Sequence, residues 1–111
     1  MKLTEEQKQT ICDVYERAMT LREKYADKES LLIAFNIDHY KTFDITAYED
    51  NGRLGHSRLA GDRVDVFDTD RCFQAISEIE EYCDTFLNNK EEAKQARIKQ
   101  LEEELARLKE D

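Results

Sequence analysis

The last third of the chain, residues 68–111, constrains the fold most, because its apolar residues recur with the period of one long helix. Five of them fall on a single helical face: Cys72, Ile76, Ile79, Cys83 and Phe86. This spacing is typical of a helix packed on a globular core. The stripe lapses after Leu87, where Asn88-Asn89 could end the helix, but we expect the helix to continue.

A narrower apolar seam follows in the same helix. Its four members occupy two positions in every seven, the a and d positions of a heptad: Ile98, Leu101, Leu105 and Leu108. This pattern is typical of a two-stranded coiled coil, whereas globular helices carry about three apolar residues in seven. In a parallel dimer, Arg97 would face Glu102 of the second chain, and Glu104 would face Lys109. Both pairs are attractive.

The seam therefore predicts a homodimer held by a coiled-coil segment. Two heptads bury few side chains, so a helix folded back on its own domain and a frayed tail are the alternatives. The sequence accordingly predicts a globular domain over residues 1–88 and a helical, coiled-coil extension over residues 89–111.

The segment before this helix predicts a helix followed by a small antiparallel sheet. Thr4 and Gln7 form a capping box, and the helical spacing runs from about Glu5 to Asp27. Apolar residues then alternate over 31–37 and again over 43–47, which is the period of two expected of strands. Pairing residue 37 with residue 43 puts these apolar residues on one face and requires an odd number of connecting residues.

A short third strand is predicted over residues 63–67, and Asp68 or Asp70 can cap the helix that follows. The fold class is therefore α+β, in the order α-β-β-β-α, with a long C-terminal helix that ends in the coiled-coil segment.

Residues 50–63 contain all three glycines of the chain and predict a long loop. Between residues 51 and 63 only Asp62 is acidic, so the segment is locally positive. Arginines and glycine-permitted backbone N–H groups can hold a phosphate or a carboxylate. The candidate anion-binding residues are Arg53, His56, Ser57, Arg58 and Arg63.

A second candidate site is the sheet face turned away from the helices. The register places acidic and hydrogen-bonding side chains there, and the candidate partner-binding residues are Asp38, Asp44, Tyr48 and Asp65. Such a face could dock a basic protein surface, and the alternative is an ordinary solvated sheet face.

The charge balance limits the classes of partner. The chain has 26 acidic and 17 basic side chains, a net charge of −9. This opposes direct binding to nucleic acid, which rewards clustered lysine and arginine. No apolar run is long enough to span a membrane. The polar N-terminus argues against a signal peptide, and the three cysteines at apolar helical positions argue for buried, reduced thiols. We therefore expect a cytoplasmic protein.

No catalytic motif is present, and we predict no catalytic residues, metal site or cofactor. The functional hypothesis is a non-catalytic, acidic interaction or regulatory protein that forms a homodimer. It would bind, and could inhibit, a protein partner with a basic, nucleic-acid-handling surface. The alternative hypothesis is a binder of a small anion, such as a nucleotide, through residues 50–63.

Overall fold

A helix, three antiparallel strands and a long helix follow one another along the chain, which confirms the predicted α+β architecture. The computed structural model describes residues 2–28, 30–39 and 41–110, so residue 111 of the predicted extension lies outside the described part. The elements are α1 (Glu5–Lys24), β1 (Leu31–Asp38), β2 (Thr42–Asp50), a 3₁₀ turn (Gly52–Leu54), β3 (His56–Asp65) and α2 (Thr69–Glu110).

The first helix begins at the predicted capping box. The Gln7 backbone N–H donates to the Thr4 hydroxyl at 3.1 Å, and the Thr4 N–H donates to the Gln7 side chain at 3.0 Å. Helix α1 ends at Lys24, three residues before the predicted end. One prediction for its faces was wrong, because Cys12 is exposed. Tyr15 is also more than half exposed, and its ring lies edge-on to Phe35 with the ring centroids 5.4 Å apart.

The three strands form one sheet in the order β1-β2-β3. Ile37 pairs with Phe43, which confirms the predicted register. Three residues connect β1 to β2, an odd number as that register requires, and His39 takes a left-handed conformation there with φ of 50°. Both helices cover the same face of the sheet, and the buried residues between the two layers include Ile33, Phe43 and Ile45.

The predicted loop over residues 50–63 was wrong, because β3 already begins at His56. Five residues, 51–55, separate β2 from β3 and include the short turn Gly52–Leu54. Gly52 and Gly55 have positive φ angles of 63° and 92°. The pairing then skips Leu59, which marks a β-bulge. This extra residue shifts the inside–outside alternation by one position, so the strand looks irregular in sequence.

Helix α2 runs unbroken through Asn88-Asn89, as expected. Asp68 caps it, accepting a hydrogen bond from the Arg71 N–H at 3.2 Å, and Asp70 lies in the first turn. The domain is covered by the first half of α2, whose buried residues are Cys72, Ala75, Ile76, Ile79 and Cys83. Because α2 is 42 residues long, its second half projects, and the molecule measures 78 × 26 × 19 Å.

A polar cluster ties the end of α1 to α2. The Tyr25 hydroxyl lies 3.0 Å from the Glu80 carbonyl oxygen and also donates to the Asp84 carboxylate. The Lys24 ammonium is 3.1 Å from Asp84 and 3.3 Å from the Glu80 side chain. The hydrogen bond from Tyr25, and then the one from Lys24, hold the pKa of Asp84 below its ordinary value.

We expect Tyr25→Phe to lower the free energy of unfolding by about 1 kcal/mol near neutral pH, a modest loss because Asp84 is half-exposed. A carboxyl whose pKa is lowered by folding stabilises the fold above its unfolded pKa, and this contribution is lost as the pH falls through the folded value. The difference between wild type and variant in urea unfolding should therefore shrink below about pH 4. Tyr15→Phe, at an exposed ring, is the control, and a difference that does not change with pH would contradict the Asp84 contact.

Candidate interaction surfaces

The sheet face that the helices leave uncovered, called the open face below, carries all four predicted partner-binding residues. Asp38, Thr42 and Asp65 form one row across the three strands, next to the β1–β2 connection. Asp44 lies in the next row and Tyr48 further along β2. All of these side chains are exposed or half-exposed. The end of the open face at the β1–β2 connection is therefore acidic.

The same face also carries Arg58 and Arg63, two of the predicted anion-binding residues. We expected an acidic face, but its charge is mixed. Arg63 pairs with Asp44 across the strands, and its Nε lies 3.5 Å from an Asp44 carboxylate oxygen. Arg58 pairs with Tyr48. The sequence did not predict that these arginines lie beside Asp44 and Tyr48, because residues 50–63 were expected to form a loop. Arg58 and Arg63 are five positions apart and would lie on opposite faces of a regular strand, but the bulge at Leu59 places both on the open face.

Gly61 leaves room for one of these arginines at the middle of the open face. A Cβ at Gly61 would lie 2.7 Å from Nη2 of Arg58 and 3.0 Å from the Thr46 hydroxyl oxygen. The Arg58 guanidinium therefore lies across the glycine. Beyond it, the Tyr48 and His56 rings meet edge to face at 6.3 Å.

The five predicted anion-binding residues do not converge on one pocket. Arg53 lies in the 3₁₀ turn, and the Ser57 hydroxyl accepts a hydrogen bond from Asn51 at 2.9 Å. His56 Nε2 is 3.9 Å from an Asp50 carboxylate oxygen, and Arg63 contacts Asp44 as above. Arg58 and Arg63 are five positions apart on β3, but the Arg58 guanidinium lies over Gly61, two positions from Arg63. The five residues therefore do not form one clamp, because Arg53 and Ser57 lie apart from the two arginines of the open face.

Groups suited to nucleophilic catalysis lie on different elements. Burial raises the pKa of the Cys72 and Cys83 thiols to about 11, so both are protonated at neutral pH. Cys12 is exposed on α1, whereas His39 lies in the β1–β2 connection and His56 on the open face. In the described ranges 2–28, 30–39 and 41–110, no group of three or more His, Cys, Asp or Glu side chains could hold a metal ion.

The predicted oligomerisation residues lie on the projecting half of α2. Residues 88–110 are all exposed, so this segment does not fold back on the domain. The four seam side chains have exposed fractions between 39% and 73%: Ile98, Leu101, Leu105 and Leu108. The seam is therefore an uncovered apolar strip. Of the helices that the structure describes, none is long and apolar enough to cross a membrane.

A slot opens where α2 leaves the domain, on the side facing the start of β1. It is open to solvent, has a volume of about 700 Å³ and is lined by Lys28, Ser30, Leu87, Asn88, Lys90, Glu91 and Lys94. At intervals of seven residues, Leu87, Lys94, Leu101 and Leu108 lie on one side of the helix, drifting around it by about 20° per heptad. The seam therefore faces the same side of α2 as the domain and leads into the slot.

Comparison with known proteins gave no relative: no protein-family model, no curated protein and no solved structure matched the chain.

Proposed function

We propose that this protein is a non-catalytic interaction protein that forms a homodimer through the seam and binds a protein partner through the open face. The observation that supports the dimer is the projecting half of α2, which carries four exposed apolar side chains at coiled-coil spacing. An uncovered apolar strip of this kind is typical of an association surface. The observation that supports partner binding is the open face, which is polar and is not covered by either helix.

The partner we propose has a basic surface. The open face carries four aspartates against two arginines: Asp38, Asp44, Asp50 and Asp65 against Arg58 and Arg63. Its acidic end has three of the aspartates, and only one of them contacts an arginine among the described residues. Proteins that handle nucleic acid present basic surfaces to phosphates. A net charge of −9 favours association with such a surface, which would block it to nucleic acid.

Charge reversal at the acidic end tests this proposal. We expect Asp38→Lys plus Asp44→Lys to abolish capture of a partner from a lysate of the native host, read by mass spectrometry against wild-type bait. The matched control is Glu78→Lys plus Glu81→Lys on the exposed side of α2, which changes the net charge equally. Circular dichroism checks that both variants fold. Equal capture by the two variants would remove the open face from the proposal.

A further inference from the structure

We propose that Thr46, Arg58 and Arg63 form an anion site on the open face, above Gly61, and that this site takes the phosphate group of a nucleotide. The proposal goes beyond the protein partner proposed above and does not depend on it. It gives a role to the two arginines of β3, which the binding of a basic surface leaves without one.

Gly61 provides room for a neighbouring side chain. Among the described residues, the glycines with positive φ angles are Gly52 and Gly55, so the backbone at Gly61 does not require a glycine. A glycine inside a strand often marks the close approach of another group. At Gly61 that group is the Arg58 guanidinium, whose Nη2 and Nε lie 2.7 and 3.2 Å from the position that a Cβ would take. The glycine therefore determines where this guanidinium lies.

The Arg58 guanidinium and the Thr46 hydroxyl converge on the same point. Among the described residues Arg58 makes no ion pair, although the chain has 26 acidic and 17 basic side chains. The Thr46 hydroxyl oxygen lies 3.0 Å from the Cβ position that Arg58 approaches. A hydrogen bond to an oxyanion spans roughly 2.8 Å, so one oxyanion above Gly61 can accept from both side chains.

Arg63 adds a second positive charge from the neighbouring row of the sheet. Gly61 pairs with Thr46 and Arg63 with Asp44, so these two pairs are adjacent on the open face. Arg63 contacts Asp44 through Nε at 3.5 Å, and a guanidinium has two further Nη groups that can donate. Over the rows from Asp44 to Tyr48, two arginines face one aspartate, so this part of the open face is positive.

The donor set and an aromatic neighbour favour a nucleotide. Donors that come from two strands and surround one point suit the tetrahedral oxygens of a phosphate, whereas a planar carboxylate fits a single guanidinium side by side. Tyr48 is two positions from Thr46 on β2, a separation of roughly 6–7 Å. In the described part of the chain, no cation–π contact covers the Tyr48 ring. A nucleotide with its phosphate above Gly61 therefore brings its base to this ring, where it can stack.

Amide NMR of the full chain tests the site, with adenosine monophosphate, adenosine and inorganic phosphate as probes. We expect adenosine monophosphate to shift the backbone amide signals of Thr46, Tyr48, Arg58 and Gly61. Adenosine lacks the anion and should shift none of them at the same concentration. Inorganic phosphate lacks the base and should bind about tenfold more weakly than the nucleotide.

Two variants remove the site by different routes. Arg58→Gln should raise the dissociation constant for adenosine monophosphate at least about tenfold. Gly61→Ala should have the same effect, because the added Cβ takes the place of the Arg58 guanidinium, which is the flexible end of a side chain and can move away. Arg53→Gln is the matched control, since it removes an equal charge from the 3₁₀ turn and should change the constant less than about twofold.

Three results would overturn the proposal. The first is the absence of any amide shift at about 10 mM adenosine monophosphate. The second is an affinity that does not distinguish Arg58→Gln from Arg53→Gln. The third is equal affinity for inorganic phosphate and the nucleotide, which would leave no role for the base. These titrations contain no protein partner, so a negative result leaves the capture experiment with Asp38 and Asp44 unaffected.

Discussion

Leu101→Asp plus Leu105→Asp should convert the proposed dimer into a single chain of 13.1 kDa by light scattering. Both side chains are more than half exposed within one chain, and each would be buried by a second copy. Burial of a leucine contributes roughly 1.5–3 kcal/mol, and a dimer would lose four such contacts and desolvate four carboxylates instead. We expect the dissociation constant to rise at least about a hundredfold.

A matched control separates the seam from helix propensity. Gln100→Asp plus Ala106→Asp places two aspartates on exposed positions away from the seam, in the same turns of the helix. This variant should keep the mass of the dimer. Because the exposed Leu101 and Leu105 are not part of the buried core, the urea midpoint of the seam variant should match that of wild type at a protein concentration where wild type is itself dissociated. Equal masses for wild type and seam variant would contradict the dimer.

Local signals made much of the fold predictable. The capping box at Thr4, the pairing of Ile37 with Phe43 and the cap at Asp68 all depend on residues close together in sequence. Periodicity and capping chemistry act at that range, so they can be detected without tertiary contacts.

The parts that were wrong depend on tertiary contacts. Strand β3 contains a bulge and several polar residues, and one of its faces is covered only because α2 packs against it. No local pattern shows this, so the arginines of β3 were assigned to a loop. Tyr15 and Cys12 have helical spacing that suits a core, but α1 is covered by neighbours on a narrower stripe than its apolar pattern suggested.

The residues of the candidate surfaces were predicted from the sequence, but their positions relative to one another were not. The acidic residues and the arginines share one face because pairing of β2 with β3 brings Arg63 beside Asp44. The slot lies between the α1–β1 connection and a part of α2 about sixty residues later in the chain. In the sequence, the slot is indicated by two charged residues at a and d positions of the heptad, Glu91 and Lys94. Two charged residues at these positions do not show which part of the chain lies beside them until the position of the domain is known.

Phe43→Ala should lower the free energy of unfolding by about 3–5 kcal/mol, which is the typical cost of removing a buried phenylalanine side chain. Phe43 is fully buried in the central strand, where it pairs with Ile37 on β1 and with Val64 on β3. Because it is flanked on both sides, the surrounding strands cannot collapse into the space without breaking their register. A domain of this size is stabilised by roughly 5–15 kcal/mol, so the loss is a large share of the total.

Urea unfolding measures this loss most cleanly in the Leu101→Asp plus Leu105→Asp background, because a monomer unfolds without a concentration term. Leu54→Ala is the control, since Leu54 is 91% exposed and its truncation should change stability by less than about 0.5 kcal/mol. Phe43→Leu should fall between the two, because it fills part of the cavity. If Phe43→Ala cost no more than Leu54→Ala, the helices could not be packed on the face of the sheet that carries Phe43, and the open face would have to be the opposite one.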